Sequence, residues 1–235
     1  MKLKNTMHTD KKSPNGGFRG LSKAVIYDMD GIIIDSEPLW REAEIITFKT
    51  VGLHFTEDMC RETMGMRLYE VVEYWYDKLG WEGKSKKQIE EELLTTVTQL
   101  ILEKGTAMEG VYESLAFFKN KGYKIALASS SAMSLIDTVL NKLNLKDYFE
   151  VVNSAENLDY GKPHPMIFIN TAKDLEVKPV NCLVIEDSFN GLLAAKAALM
   201  QTIVVPEEAN QNNPNFNIAD FNLNNLTQIL ELNIG

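Results

Sequence analysis

Asp28 and Asp30 stand two residues apart in Asp28-Met29-Asp30-Gly31-Ile32-Ile33-Ile34-Asp35, directly after the apolar run Ala24–Tyr27. That run reads as a buried strand. Residues i and i+2 of a strand point to the same face, so the two acids would repel each other unless a positive group sat between them. A divalent cation supplies that charge, and a hard cation takes oxygen ligands. Gly31 lets the backbone turn sharply straight afterwards. The chemistry these residues support is metal-assisted. Taken alone, the same residue types also serve as turn formers and caps.

Three further groups follow, each at the end of a strand-like run or in a stiff loop. Ser129-Ser130-Ser131 comes after Lys124–Ala128. Hydroxyls at a strand end that leads into a helix N-terminus can hold a phosphate oxygen together with nearby backbone N–H groups; Ser130 or Ser131 could equally cap that helix. In Gly161-Lys162-Pro163-His164-Pro165, two prolines stiffen the loop and the second can start a helix. A lysine in such a loop can be aimed at a phosphate, although most lysines are simply solvated. His164 is a candidate acid–base group in a site whose acid pair already fills that role. Glu186-Asp187-Ser188 ends the run Cys182–Ile185. Paired acids at a buried strand terminus are costly unless neutralised. With the first pair they make an oxygen cage suited to Mg²⁺. Capping of the next helix by Asp187 or Ser188 would leave Glu186 unexplained.

The elements that must position these groups alternate. Strand-like runs at Ala24–Tyr27, Lys124–Ala128, Glu150–Asn153, Cys182–Ile185 and Thr202–Val205 are separated by helix-period segments at Tyr112–Lys121, Ala132–Leu143, Pro165–Leu175 and Leu192–Met200. This pattern predicts an α/β fold, a doubly wound parallel sheet with helices on both faces. Such sheets bind ligands at the carboxyl ends of their strands. Between Glu37 and about Met108 only helical patterns occur, including Leu39–Val51, Leu68–Leu79 and Ile89–Leu102. One crossover helix would be enough to cover a sheet face. About four inserted here predict a cap over the acids, able to exclude water and read a substrate. The expected organisation is a flexible leader over 1–22, a core over 23–36 and 109–235, and an α-helical cap over 37–108.

Composition narrows the partners. The chain has 235 residues and a formal net charge of -9, which suits one domain with an insert. The acidic balance argues against nucleic acid, because phosphate-backbone binding needs a basic face. A small phosphorylated ligand needs only a few local positive groups. Cys60 and Cys182 lie far apart and suggest no disulfide framework, which fits a reducing, cytoplasmic setting. Cys182, inside an apolar run, reads as a small buried residue. No apolar stretch approaches membrane-spanning length, and Met1–Gly20 lacks the apolar segment of a signal peptide.

As a set, Asp28-x-Asp-Gly-x-x-x-Asp35, Ser129, Lys162 and Glu186-Asp187 resemble the four motifs of the haloacid dehalogenase superfamily in type, order and spacing. The likeness runs from about Lys23 to the C-terminus. The helical insert resembles the cap of the β-phosphoglucomutase-like subgroup. Asp35-Ser36-Glu37-Pro38-Leu39-Trp40, Lys162-Pro163-His164-Pro165 and Glu186-Asp187-Ser188-Phe189-Asn190-Gly191 are similar to the bacterial hexitol phosphatase/2-deoxyglucose-6-phosphate phosphatase group. The resemblance implies a HAD-like Rossmannoid core and a Mg²⁺-dependent phosphatase of small sugar or sugar-alcohol phosphates. Asp28 would be the nucleophile that becomes an aspartyl phosphate, and Asp30 the proton donor and acceptor. Asp28, the Asp30 backbone carbonyl, Glu186 and Asp187 would hold Mg²⁺. Lys162, Ser129 and Ser130 would bind the phosphoryl oxygens. Asp30 fits phosphoryl transfer rather than the metal-free dehalogenase branch. Gly65-Met66-Arg67 resembles a cap loop that reaches the substrate, so Gly65 and Arg67 are substrate candidates, with a surface arginine as the alternative. A β-phosphoglucomutase-type phosphomutase is the other activity the resemblance allows. That group, however, usually carries histidine at the position of Trp40, lysine at that of Met64 and arginine at that of Leu68. The subgroup implies a monomer. Trp40, Trp75 and Trp81 could wall a sugar face or pack between helices.

Overall fold

A computed structural model describes residues 24–232, and the leader expected over 1–22 lies outside them. Six parallel strands form one sheet in the order β3-β2-β1-β4-β5-β6. They are β1 (Ala24–Tyr27), β2 (Lys124–Ser129), β3 (Val151–Ser154), β4 (Cys182–Glu186), β5 (Gln201–Val204) and β6 (Phe221–Asn222). β1 and β4 are buried along their whole length, which is why they read as unbroken apolar runs rather than alternating ones. Alternate residues of one strand enter separate cores: Val25 and Tyr27 join one cluster, Ala24 and Ile26 the other. Helices therefore cover both faces. β6 has only two residues, too few to leave a periodic signal.

Four helices lie between β1 and the βα units: α1 (Glu37–Lys49), α2 (Glu57–Glu62), α3 (Leu68–Leu79) and α4 (Lys86–Lys104). α5 (Val111–Asn120), α6 (Met133–Lys142), α7 (Met166–Asp174) and α8 (Phe189–Ala197) complete the set. α1 begins two residues before its first apolar position, with Pro38 in its first turn, where proline's missing N–H costs nothing. The six-residue α2 is started by Thr56, whose hydroxyl oxygen accepts the Met59 N–H at 3.3 Å. Phe48 stacks on Phe55 at 4.2 Å, and Phe55 meets Trp75 edge-on at 4.8 Å. Trp81 closes on Phe48 at 5.7 Å. Trp75 and Trp81 thus pack between helices rather than face a substrate.

The topology puts the acids together. β1 lies between β2 and β4, so the chain leaves β1 and its neighbours toward opposite sides and a crevice opens at their carboxyl ends. The Asp28 N–H donates to the Ile185 carbonyl at 2.9 Å, extending the β1–β4 ladder and setting Asp28 beside Glu186. The chain then turns at once: the Met29 carbonyl accepts from the N–H groups of Ile32, Ile33 and Ile34. The connections to the four inserted helices run side by side, with Asp35 N–H donating to Thr106 O at 3.0 Å and Met108 N–H to Ile33 O at 3.2 Å.

Two glycines let carboxylates approach the backbone. Gly31 has φ +68°, and a Cβ there would run into the Asp187 carboxylate. A Cβ at Gly191, inside α8, would run into Glu186. Gly→Ala in a helix interior ordinarily stabilises by up to about 1 kcal/mol. Gly191→Ala is expected to do the opposite and lower stability by about 1–3 kcal/mol, because the methyl overpacks the Glu186 site. Urea denaturation reads the sign; a stabilised variant would mean that Glu186 is free to move away.

Candidate active site

The floor of the crevice is a charge cluster. Lys162 Nζ donates to Asp28 Oδ1 at 2.7 Å and to Glu186 Oε1 at 2.5 Å. All three residues are buried. The other Glu186 oxygen accepts the N–H groups of Asp187 and Ser188 and the Ser188 hydroxyl, each at 3.0 Å. Asp187 is buried too, yet its carboxylate receives no hydrogen bond among the described residues and faces the cavity. Burial pushes Asp28 up to about 8; Lys162 opposes this, while Glu186 and Asp30 add to it. Burial, then the charges of Glu186, Glu37 and Asp28, holds Asp187 well above the usual carboxylate range. Burial works against the charge on Lys162, but Asp28 and Glu186 together raise its pKa above the ordinary lysine value.

One ammonium cannot neutralise three carboxylates. Ligand atoms of Asp28, Glu186 and Asp187 lie within 4.8 Å of one another. An all-oxygen donor set with a carboxylate that lacks a protein donor fits a hard divalent cation. The cluster can hold one, which would draw the raised carboxyl groups back to their ionised forms.

Asp30 sits on the cavity side of the turn under three donors. Its Oδ1 accepts the Ser36 hydroxyl at 2.6 Å and the Trp40 indole N–H at 2.9 Å. Its Oδ2 accepts the Ser131 hydroxyl at 2.7 Å. Trp40 therefore aims an acid, and neither Ser130 nor Ser131 caps α6, whose cap position is Ala132. The cavity above is closed in by residues of the core, Asp28, Ser130, Ser131, Lys162 and Asp187, and of the inserted helices.

The other expected residues divide. Ser130 and Ser131 line the cavity; Ser129 is fully buried beneath it, its oxygen accepting the Ser131 N–H at 3.0 Å. Gly65 lines the cavity, and its carbonyl accepts the Ser130 hydroxyl at 3.1 Å. Arg67 does not reach the substrate cavity, and it is not a surface arginine either. It is 3% exposed, with Nη1 donating to the carbonyls of Ala155 and Leu158 and Nη2 to Glu70 Oε1. It fastens the start of α3 to the loop after β3. His164 is exposed against Tyr160, 4.7 Å away, outside the cavity wall.

Sequence reasoning missed Glu37, Arg41 and Glu44, which line the cavity from α1. Arg41 pairs with Glu207 at 3.1 Å. Burial, with Asp30 next, lifts Glu37 up to about 8. Burial lifts Glu44 up to about 7, against a Cys60 hydrogen bond and Arg41. Their spacings of four and three residues place them on one helix face, the one signal that could have found them.

A family model described as haloacid dehalogenase-like hydrolase matches residues 25–205. The chain belongs to that family. Hexitol phosphatase B of Escherichia coli strain K12 is 39% identical over 207 residues, covering 88% of this chain and 93% of that protein. A phosphorylated carbohydrates phosphatase of Thermotoga maritima is 35% identical over 184 residues, 77% of this chain and 83% of that protein. A crystal structure of β-phosphoglucomutase from Clostridium difficile superposes with a TM-score of 0.77 at 27% identity, over 89% of this chain and 93% of that one. This haloacid dehalogenase-like hydrolase is accordingly an enzyme of the phosphatase type. Among its described residues no helix is long and apolar enough to cross a membrane.

The raised carboxyl groups give the hydrolase a signed pH dependence. Asp28 binds its proton more tightly folded than unfolded, its pKa rising from 3.8 to about 8. Without a divalent cation this contribution is fully present below the unfolded pKa, shrinks as pH rises through the window and is gone above about 8. A cation competes with those protons, so its stabilisation grows with pH. Mg²⁺ is expected to raise the melting temperature more at pH 8 than at pH 5, and the difference should shrink in Asp187→Asn. Thermal denaturation of chelator-treated protein with and without Mg²⁺ checks this; an equal gain at both pH values would contradict it.

Proposed function

We propose that the chain is a Mg²⁺-dependent phosphatase of small sugar or sugar-alcohol phosphates that works through a phosphoryl group on Asp28. The observation that carries this reading is the pairing of two unlike acids at one cavity. Asp28 lies in the Lys162, Glu186 and Asp187 cluster, and Asp30 is aimed from beside it by Ser36, Trp40 and Ser131. The comparisons support the substrate class through the names of the relatives in Escherichia coli and Thermotoga maritima.

Asp28, Glu186, Asp187 and the Asp30 carbonyl would hold Mg²⁺, which neutralises the charges of nucleophile and phosphate and positions them for in-line displacement. The Asp28 carboxylate attacks phosphorus, forming an O–P bond as the ester P–O bond breaks. Asp30 gives its proton to the departing sugar oxygen. Asp30 then takes a proton from water, which attacks phosphorus and frees Asp28 and inorganic phosphate. Lys162 holds Asp28 in line and, with Ser130, faces the developing charge on the phosphoryl oxygens, while Ser129 supports Ser131 from beneath. We read 37–108 as the cap. Its α1 brings Trp40 to Asp30, and its Gly65 loop meets Ser130.

The phosphomutase alternative needs a second phosphate site. The cations lining the cavity among the described residues are Lys162 and Arg41, both already paired with carboxylates. Met64 and Leu68 line the cavity as apolar groups. This favours hydrolysis of a monophosphate. A panel of hexose and hexitol phosphates assayed with Mg²⁺ for released phosphate is expected to show turnover that chelation abolishes. Asp28→Asn should lower it by at least about 10³-fold, as loss of a nucleophile does. No release from any of these esters, or activity surviving Asp28→Asn, would overturn the reading. Conversion of β-glucose 1-phosphate without phosphate release would replace it with the mutase.

A further inference from the structure

Two buried polar atoms on residues that line the cavity from α1 have no hydrogen-bond partner among the described residues. Glu44 is 6% exposed; the Cys60 thiol approaches its carboxyl, but its Oε2 has no hydrogen-bond partner among the described residues. Arg41 Nη1 is likewise without one; the Glu37 carboxylate is 3.9 Å from it. Nη2 of the same guanidinium is engaged by Glu207. Both residues line the cavity. A buried charged group left unsatisfied costs stability, so a wall that keeps two of them is poised for something that enters.

The chemistry of the pair restricts what that is. A guanidinium only donates and a carboxylate only accepts, whereas a hydroxyl does both. Two adjacent hydroxyls can accept from Arg41 and donate to Glu44 at once. A second phosphate would suit Arg41 but would meet the repulsion of Glu37, Glu44 and Glu207, which surround it. We propose that Arg41 and Glu44 recognise the hydroxyl end of the substrate, binding neighbouring hydroxyls of a polyol phosphate whose phosphate lies at Asp28. This rests on the phosphatase reading above and assigns its specificity to two residues of α1.

The test compares kcat/KM for a hexitol phosphate with that for p-nitrophenyl phosphate, an ester with no hydroxyls. The wild-type enzyme is expected to prefer the hexitol phosphate. In Glu44→Met, which keeps the length of the side chain and removes the acceptor, that preference should fall about 10- to 100-fold, the range for one charged hydrogen bond. The loss should appear mainly in KM. If that variant fails to fold, monodeoxy hexitol phosphates read the same contact in the wild-type enzyme, and at least one should lose a similar factor. In a folded Glu44→Met that analogue should lose little further, because the two changes remove the same bond. An unchanged preference in Glu44→Met, or a wild-type enzyme indifferent to every missing hydroxyl, would overturn the assignment and leave the phosphatase standing. A wild-type enzyme that hydrolyses p-nitrophenyl phosphate but prefers no polyol phosphate would overturn the substrate class and this assignment together.

Discussion

Three buried carboxylates share a single buried ammonium at the ends of two neighbouring strands, and the rest of the structure answers to that imbalance. Lys162 bridges Asp28 and Glu186 and leaves Asp187 to the cavity. Without further positive charge, burial raises the pKa of Asp28 against the pull of Lys162. The same arrangement makes the site receptive to a divalent cation. The metal use general to this family thus has a physical ground here in the charge count.

The scaffold exists to hold this count in place. Parallel strands flanked by helices bury β1 and β4 on both faces, so the ends of those strands are the first points where acids can emerge. The β1–β4 register fixes Asp28 next to Glu186. Gly31 and Gly191 remove the methyl groups that would keep Asp187 and Glu186 at a distance. Above the floor, α1 serves several ends with one face. Trp40 aims Asp30, while Arg41 and Glu44 line the same cavity. Arg67 fastens the inserted helices to the core through Nη1, while Glu70 of α3 holds Nη2. A cavity over a reactive acid needs both a floor of fixed charge and a wall that stays put.

How much of this the sequence shows follows from how local each feature is. The parallel sheet was legible because its central strands are unbroken apolar runs, and the chemical groups because three sit at such a run's end and Lys162 sits between glycine and proline in a stiff loop. β6 and α2 were not legible, since two and six residues carry no periodicity. Trp40 read as a packing or stacking residue, because nothing local says that its N–H meets Asp30. Arg67 read as substrate-facing or solvated, because its partners at Ala155 and Leu158 are about ninety residues away. Glu37, Arg41 and Glu44 share a helix face by their spacing, but nothing local says where that face points. Only the placement of α1 over the crevice turns that face inward.

The claim on which the account stands is that Asp28, completed by a divalent cation, accepts a phosphoryl group. Beryllium and fluoride assemble on a phosphoryl-accepting carboxylate as a mimic of the acyl phosphate, so ¹⁹F NMR reads this at equilibrium without a substrate. The account predicts protein-bound fluorine resonances that appear with Mg²⁺, vanish on chelation and are absent in Asp28→Asn. The same resonances persisting in Asp28→Asn, or forming undiminished without a divalent cation, would contradict it.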